Sequence, residues 1–198
     1  MAYSDFTLPK VREAFDLVVS EPDDLFADAV SQTPSSALAQ LIQENLPLAT
    51  ASNTEKARSE LLIAPILLEV RRQYAFGFFS GVEFAVDPSR GLTGYCDYLL
   101  TASKELYEIR QPVIMLVEAK NENIKAGLGQ CIAEMVAAQI FNQRAGGVVS
   151  PIYGGVTTGT EWKFLRLRQQ HCEIDLRDYF IVELSKILGI LAAPFAIL

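Results

Sequence analysis

Along the first third of the chain, apolar positions recur at helical spacing. TLPKVREAFDLVVSE (7–21) places them three and four residues apart, and SEPDDLFADAV (20–30) sets a serine ahead of acids, the pattern of a helix start. PSSALAQLIQENL (34–46) predicts another helix, and NTEKARSELLIAPILLEVRRQY (53–74) a longer one that Pro65 bends. After Gly77 the pattern changes to short β-type runs. SGVEFAVD (80–87), LTGYCDYLL (92–100) and VIMLVEAK (113–120), separated by Gly, Pro, Ser or charged breaks, predict three successive strands. IKAGLGQCIAEMVAAQIFNQR (124–144) is a long helix with small residues suited to close packing on a sheet, broken by GGVVSPIYGGVTTG (146–159). PIYGGVTTG and EWKFLRLRQQ (161–170) predict two further strands around a turn at Gly159, and DLRDYFIVELSKILGIL (175–191) a closing helix. No repeat or linker interrupts this order, so one domain over 1–198 is expected. Its class is α/β, a sandwich with a mixed central sheet of about five strands covered by helices.

Composition narrows the chemistry. Half of the 198 residues are hydrophobic, enough for a single buried core. No run approaches the roughly 18 apolar residues that cross a bilayer, and the start lacks a basic segment followed by an apolar one. A soluble, cytoplasmic protein without a membrane partner is expected. Cys96, Cys131 and Cys172 have no pairing spacing and read as reduced core residues. With His171 as the only histidine, two-histidine zinc sites and the facial triad drop out. The absence of a GxSxG elbow removes the support for a serine triad. His171 itself reads as a surface residue of an edge strand. A net charge of −7 argues against a broad non-specific grip on nucleic acid but leaves room for a local basic groove.

Two of the predicted strands end on acids. In VIMLVEAKNEN (113–123) the alternation of side chains puts Leu116, Glu118 and Lys120 on one face. Asp97, near the end of the preceding strand, can approach Glu118 if the two strands pair. An unpaired charge at such apolar positions is costly, and two carboxylates beside a lysine form a site for a hard cation such as Mg²⁺. A metal there could polarise a phosphodiester and lower the pKa of a bound water, with Lys120 supporting the developing charge. The bland alternative is a strand-end ion pair of Glu118 and Lys120, with Asp97 held by a backbone amide or by Arg71.

This order of helix acid, strand Asp, strand Glu-x-Lys and following helix resembles the PD-(D/E)XK nuclease superfamily over residues 53 to 168, and is similar to uncharacterised bacterial members of it. The resemblance implies a restriction-endonuclease-like fold, with Asp97 and Glu118 as ligands of Mg²⁺ (or Mn²⁺) and Lys120 as the catalytic lysine. It also implies an acid from the preceding helix. Glu60 is the first choice, because Ile63, Ala64 and Leu67 share its helical face and turn it inward; Glu55 is the alternative and Glu69 the third. Gln130 matches a glutamine near the site.

A Glu-x-Lys triplet arises about once by chance in a chain of this length, and Glu161-Trp162-Lys163 is a second one. Glu118 is preferred for its apolar strand, for Asp97 upstream and for the helix that follows. Metal-dependent hydrolysis of nucleic acid is the leading expectation, with DNA favoured over RNA as partner. A non-catalytic interaction module on the same fold is the alternative, and a small-molecule metal hydrolase the third. The apolar C-terminal run ILGILAAPFAIL (187–198) is a possible homodimer contact. Arg166 and Arg168 could meet phosphate but read first as a solvated edge strand, and Trp162, Phe164 and Tyr153 could stack bases but fit sheet packing at least as well. Gly127 and Gly129 read as close helix contacts, outside any phosphate loop motif.

Overall fold

A computed structural model describes residues 1–146 and 151–196; residues 147–150, within the expected break, and 197–198, at the end of the apolar run, lie outside the described residues. The helices are α1 (Leu8–Ala14), α2 (Ser36–Ser52), α3 (Glu55–Arg58), α4 (Ala64–Gln73), α5 (Ile124–Arg144) and α6 (Leu184–Ala196). The strands are β1 (Val18–Ser20), β2 (Gly77–Glu83), β3 (Tyr95–Thr101), β4 (Val113–Ala119), β5 (Ile152–Thr157), β6 (Glu161–Arg168), β7 (His171–Ile174) and β8 (Tyr179–Phe180). They form one mixed sheet of eight strands in the order β1-β7-β6-β5-β4-β3-β2, with β8 beside β6. The pairs β4/β5 and β1/β7 are parallel and the others antiparallel.

Helices cover both faces. On one, α1 and α5 bury Val11, Cys131 and Ile132 against Leu99, Leu116 and Leu165. On the other, α2, α4 and α6 bury Ile42, Leu67 and Leu188 against Val117, Phe164 and Met115. All seven residues of β4 are buried, which is why its sequence is a continuous apolar run rather than an alternation.

The α/β class and the mixed, helix-covered sheet are as expected, but the sheet has eight strands instead of about five. β1 and β8 are too short for an alternating pattern to register, and each pairs with a distant partner. β7 follows β6 through a turn at Gln169, whose φ of 55° places a left-handed residue where no Gly or Asn announces one. The stretch 20–30 forms turns, and Ser20 ends β1. Asp24 there has a φ of 50° and accepts hydrogen bonds from Arg177 and Tyr179, a conformation no α-helix contains. The helix expected over 7–21 therefore stops at Ala14, and the closing helix begins only at Leu184.

α2 runs past its expected end and through Pro47 to Ser52, with Thr50 Oγ1 donating to the Leu46 and Pro47 carbonyls. Ile187, Leu188, Ile190 and Leu191 of the C-terminal run are buried in the core, so these four side chains are packed inside the molecule. The three cysteines are free and buried, as expected. His171 is exposed, but β7 lies between β6 and β1, so it is not on an edge strand. Among the described residues no helix is long and apolar enough to cross a membrane.

Gly129 is where the N-terminal segment crosses α5. A Cβ there would lie 2.4 Å from the Phe6 carbonyl oxygen and 2.4 Å from the Thr7 carbonyl carbon, both backbone atoms. Gly129→Ala is expected to lower stability by about 1–3 kcal/mol, read from urea unfolding, because backbone must move to admit the methyl group. An unchanged midpoint would show that the segment is not fixed against the helix.

Candidate active site

β4 and β5 are parallel, so their C-terminal ends emerge at the same edge of the sheet, where α5 departs. Such ends are where open α/β sheets bind ligands. The β3–β4 ladder reaches Tyr98↔Val117 and stops. The Asp97 carboxylate takes the place of the next rung, its Oδ2 accepting from the Ala119 amide at 2.8 Å. The backbone-amide partner weighed for Asp97 is thus present, whereas Arg71 donates to the Phe76 carbonyl instead.

On the other side of β4, Glu118 is in register with Val156, and the Lys120 amide donates to the Thr157 carbonyl at 2.8 Å. Lys120 Nζ lies 2.5 Å from Glu118 Oε1, with side chains 19% and 2% exposed. Gly127 makes room for this pair, since a Cβ there would lie 3.1 Å from Lys120 Cε and 2.7 Å from Val156 Cγ1. The expected close packing at Gly127 and Gly129 is therefore observed.

Burial pushes the Glu118 carboxyl up to about 8, with the Asp97 charge acting in the same direction and Lys120 against it. For Lys120, burial works against the cation, yet the attraction of Glu118, joined by Glu55 and Asp97, raises its pKa. Glu118 Oε2 is buried with no hydrogen-bond partner among the described residues. Behind it lies a residue that sequence reasoning missed. Glu134 of α5 is fully buried; its Oε1 accepts from Gln130 Nε2 at 3.2 Å and its Oε2 has no partner. Burial first, and Glu118 second, push its carboxyl well above the usual range. The available signal was an acid in the midst of CIAEMVAA, four residues after Gln130. Gln130 thus reaches the site through Glu134.

The helical segment before the sheet carries three candidate acids, and the structure separates them. Glu69 is buried far from this edge, where its Oε1 caps the Ser35 amide and its Oε2 pairs with Arg72. Glu60 is 66% exposed beside Lys56 at 3.8 Å, so its side chain does not turn inward as expected. It still lines the groove leading to Asp97. Glu55 lines the same groove as Asp97. Burial and Asp97 push its carboxyl up while Lys120 pulls it down.

The cause of the outward turn is a π-helical stretch, Ser59–Ile63, between α3 and α4, which rotates the face on which Glu60 would have lain. Pro65 has no amide to offer, and the Leu61 carbonyl accepts instead from Asn45 Nδ2 at 3.0 Å. The Tyr98 hydroxyl, 3.0 Å from the Ser59 carbonyl and 2.5 Å from Ser59 Oγ, ties the stretch to β3. Tyr98→Phe is expected to cost about 1 kcal/mol, measured as a lowered urea midpoint. No change would mean that water replaces the hydroxyl's partners.

The remaining candidates are structural. Trp162 and Phe164 stack in the core, Tyr153 meets Phe26, and Arg166 pairs with Glu173. Arg166 and Arg168 belong to β6, which lies between β7 and β5 and is not the edge strand expected. Lys163, of the second Glu-x-Lys triplet, binds Asp178 and two carbonyls away from this site.

Among the described residues no three Asp, Glu, His or Cys side chains converge as a ready metal-ligand set. The oxygens that remain nevertheless suit a hard cation: Glu118 Oε2 is buried and orphaned, and only Oδ2 of Asp97 is engaged by the protein. Mg²⁺ commonly takes one or two protein carboxylates and fills its other positions with water and phosphate oxygens. No family model, curated protein or solved structure matches the chain.

Proposed function

We propose that the protein is a metal-dependent phosphodiesterase of nucleic acid, built on the PD-(D/E)XK nuclease plan. The observation that carries this reading is the arrangement at the open end of β3 and β4. A buried glutamate is held on one oxygen by a lysine two residues on and is free on the other, beside an aspartate on the adjacent strand. Asp97 and Glu118 would hold Mg²⁺ or Mn²⁺. Bound there, the cation supplies polarisation of the phosphodiester and a bound water of lowered pKa.

The chain's own groups do the rest. Lys120, kept protonated by Glu118, presents a cation where negative charge builds on the phosphate oxygens. Glu55 is the acid of the preceding helix that shares the groove with Asp97, while Glu60 contributes from the exposed rim. Gln130 orients Glu134 behind Glu118. On this reading the protein acts in the cytoplasm, with DNA as the favoured partner.

A non-catalytic binding module is the second reading. The hydrogen bond that Asp97 already accepts from Ala119 and the net charge of −7 favour it. Cleavage of single- and double-stranded DNA and RNA, with Mg²⁺ or Mn²⁺, separates the two. Activity that disappears in Asp97→Ala prepared in parallel supports the enzyme, and the absence of cleavage by folded wild type leaves the binding module.

A further inference from the structure

Resting on the phosphodiesterase reading, we infer that the substrate is a single strand, admitted about one nucleotide at a time, and not a duplex. The groove leading to Asp97 runs between the segment carrying Glu55, Ser59 and Glu60 and the strand edge at Ser80 and Gly81. Its volume is about 320 Å³, at the small end of the range for ligand pockets. Glu118 and Lys120 lie beyond the groove's own lining and are withdrawn from solvent, their side chains 2% and 19% exposed. A duplex holds its phosphates on a wide, stiff surface, whereas the flexible backbone of a single strand can be drawn inward.

Charge points the same way. On its own walls the groove offers phosphate one cation, Lys56, against the carboxylates of Glu55, Glu60 and Asp97; Lys120 lies past Ala119, in contact with Glu118. Duplex binding without sequence preference draws on many such basic contacts. Tyr98, the one aromatic ring on the groove wall, is buried with its hydroxyl committed to Ser59, so it provides no stacking platform. Ser80, exposed on the opposite wall, leaves hydrogen bonding as the contact available to the entering nucleotide.

The test measures binding of a fluorescein-labelled 12-mer oligodeoxynucleotide and of its duplex by anisotropy across a salt series, with cleavage of both followed in Mg²⁺. Two phosphate contacts predict a slope of log K against log salt of about −1.4 for the single strand. Single-strand binding is expected to be at least tenfold tighter than duplex binding, and Ser80→Phe, which narrows the groove, to reduce single-strand cleavage at least tenfold. A duplex preference, a slope steeper than about −3, or unimpeded cleavage by Ser80→Phe overturns the inference while leaving a metal-dependent phosphodiesterase in place. Absence of metal-dependent cleavage of either form removes the phosphodiesterase reading, and this inference with it.

Discussion

Lys120→Ala is expected to reduce metal-dependent cleavage by about 10²–10³-fold with the fold intact, the magnitude associated with losing one group that stabilises transition-state charge. The side chain leaves the end of β4 through the space provided by Gly127, and its ammonium contacts Glu118 as its hydrogen-bonded partner. Removing it takes away the cation and also the one side-chain donor to Glu118 among the described residues. Lys120→Arg keeps the charge but replaces a compact ammonium with a planar, forked head, so it should recover little activity. The check is single-turnover cleavage by wild type and both variants, with circular dichroism spectra to verify folding. Equal rates in all three would place the chemistry elsewhere and leave Glu118 and Lys120 as a structural ion pair.

Glu134→Met is expected to stabilise the protein by about 1–3 kcal/mol at pH 8, because it removes a fully buried acid with an unpartnered oxygen and fills similar volume with apolar atoms. The sign follows from the upward shifts. Glu118 and Glu134 bind protons more tightly in the folded chain than in the unfolded one, so their contribution is most favourable at low pH. It is lost as pH rises from the ordinary carboxylate range, and for Glu118 the loss continues through about 8. The gain from Glu134→Met should therefore be small at pH 4.5 and grow toward pH 8. Urea unfolding at the two values checks this. Destabilisation at both would mean that Glu134 makes a favourable interaction through Gln130 and ordered water that outweighs its burial.

Much of the frame was legible in the pattern of residues. The apolar run at 113–120 reads as a strand, and the stretch 124–144, with its small residues, as a long helix packed on the sheet, and both are observed. The turn at Gly159, with a φ of 82°, was announced by its glycine. The Glu118–Lys120 contact follows from alternation along one strand, a local rule that needs no tertiary information. The turn at Gln169 and the short strands β1 and β8 were not legible, because nothing in their own residues requires them.

The candidate site divides along the same line. The sequence by itself determined the α/β class, the strand-end acids and the lysine beside one of them, since these depend on hydrophobic period and on neighbours two residues apart. Tertiary structure decided the rest. Asp97 substitutes for a rung of the β3–β4 ladder, the π-helical stretch ahead of Pro65 carries Glu60 outward, and α5 brings Glu134 against Glu118. The physical reason is that each depends on a register, a hydrogen-bond defect or a helix rotation set by residues far away in sequence: Ala119 for Asp97, Asn45 and Tyr98 for the π-helical stretch, Glu118 for Glu134.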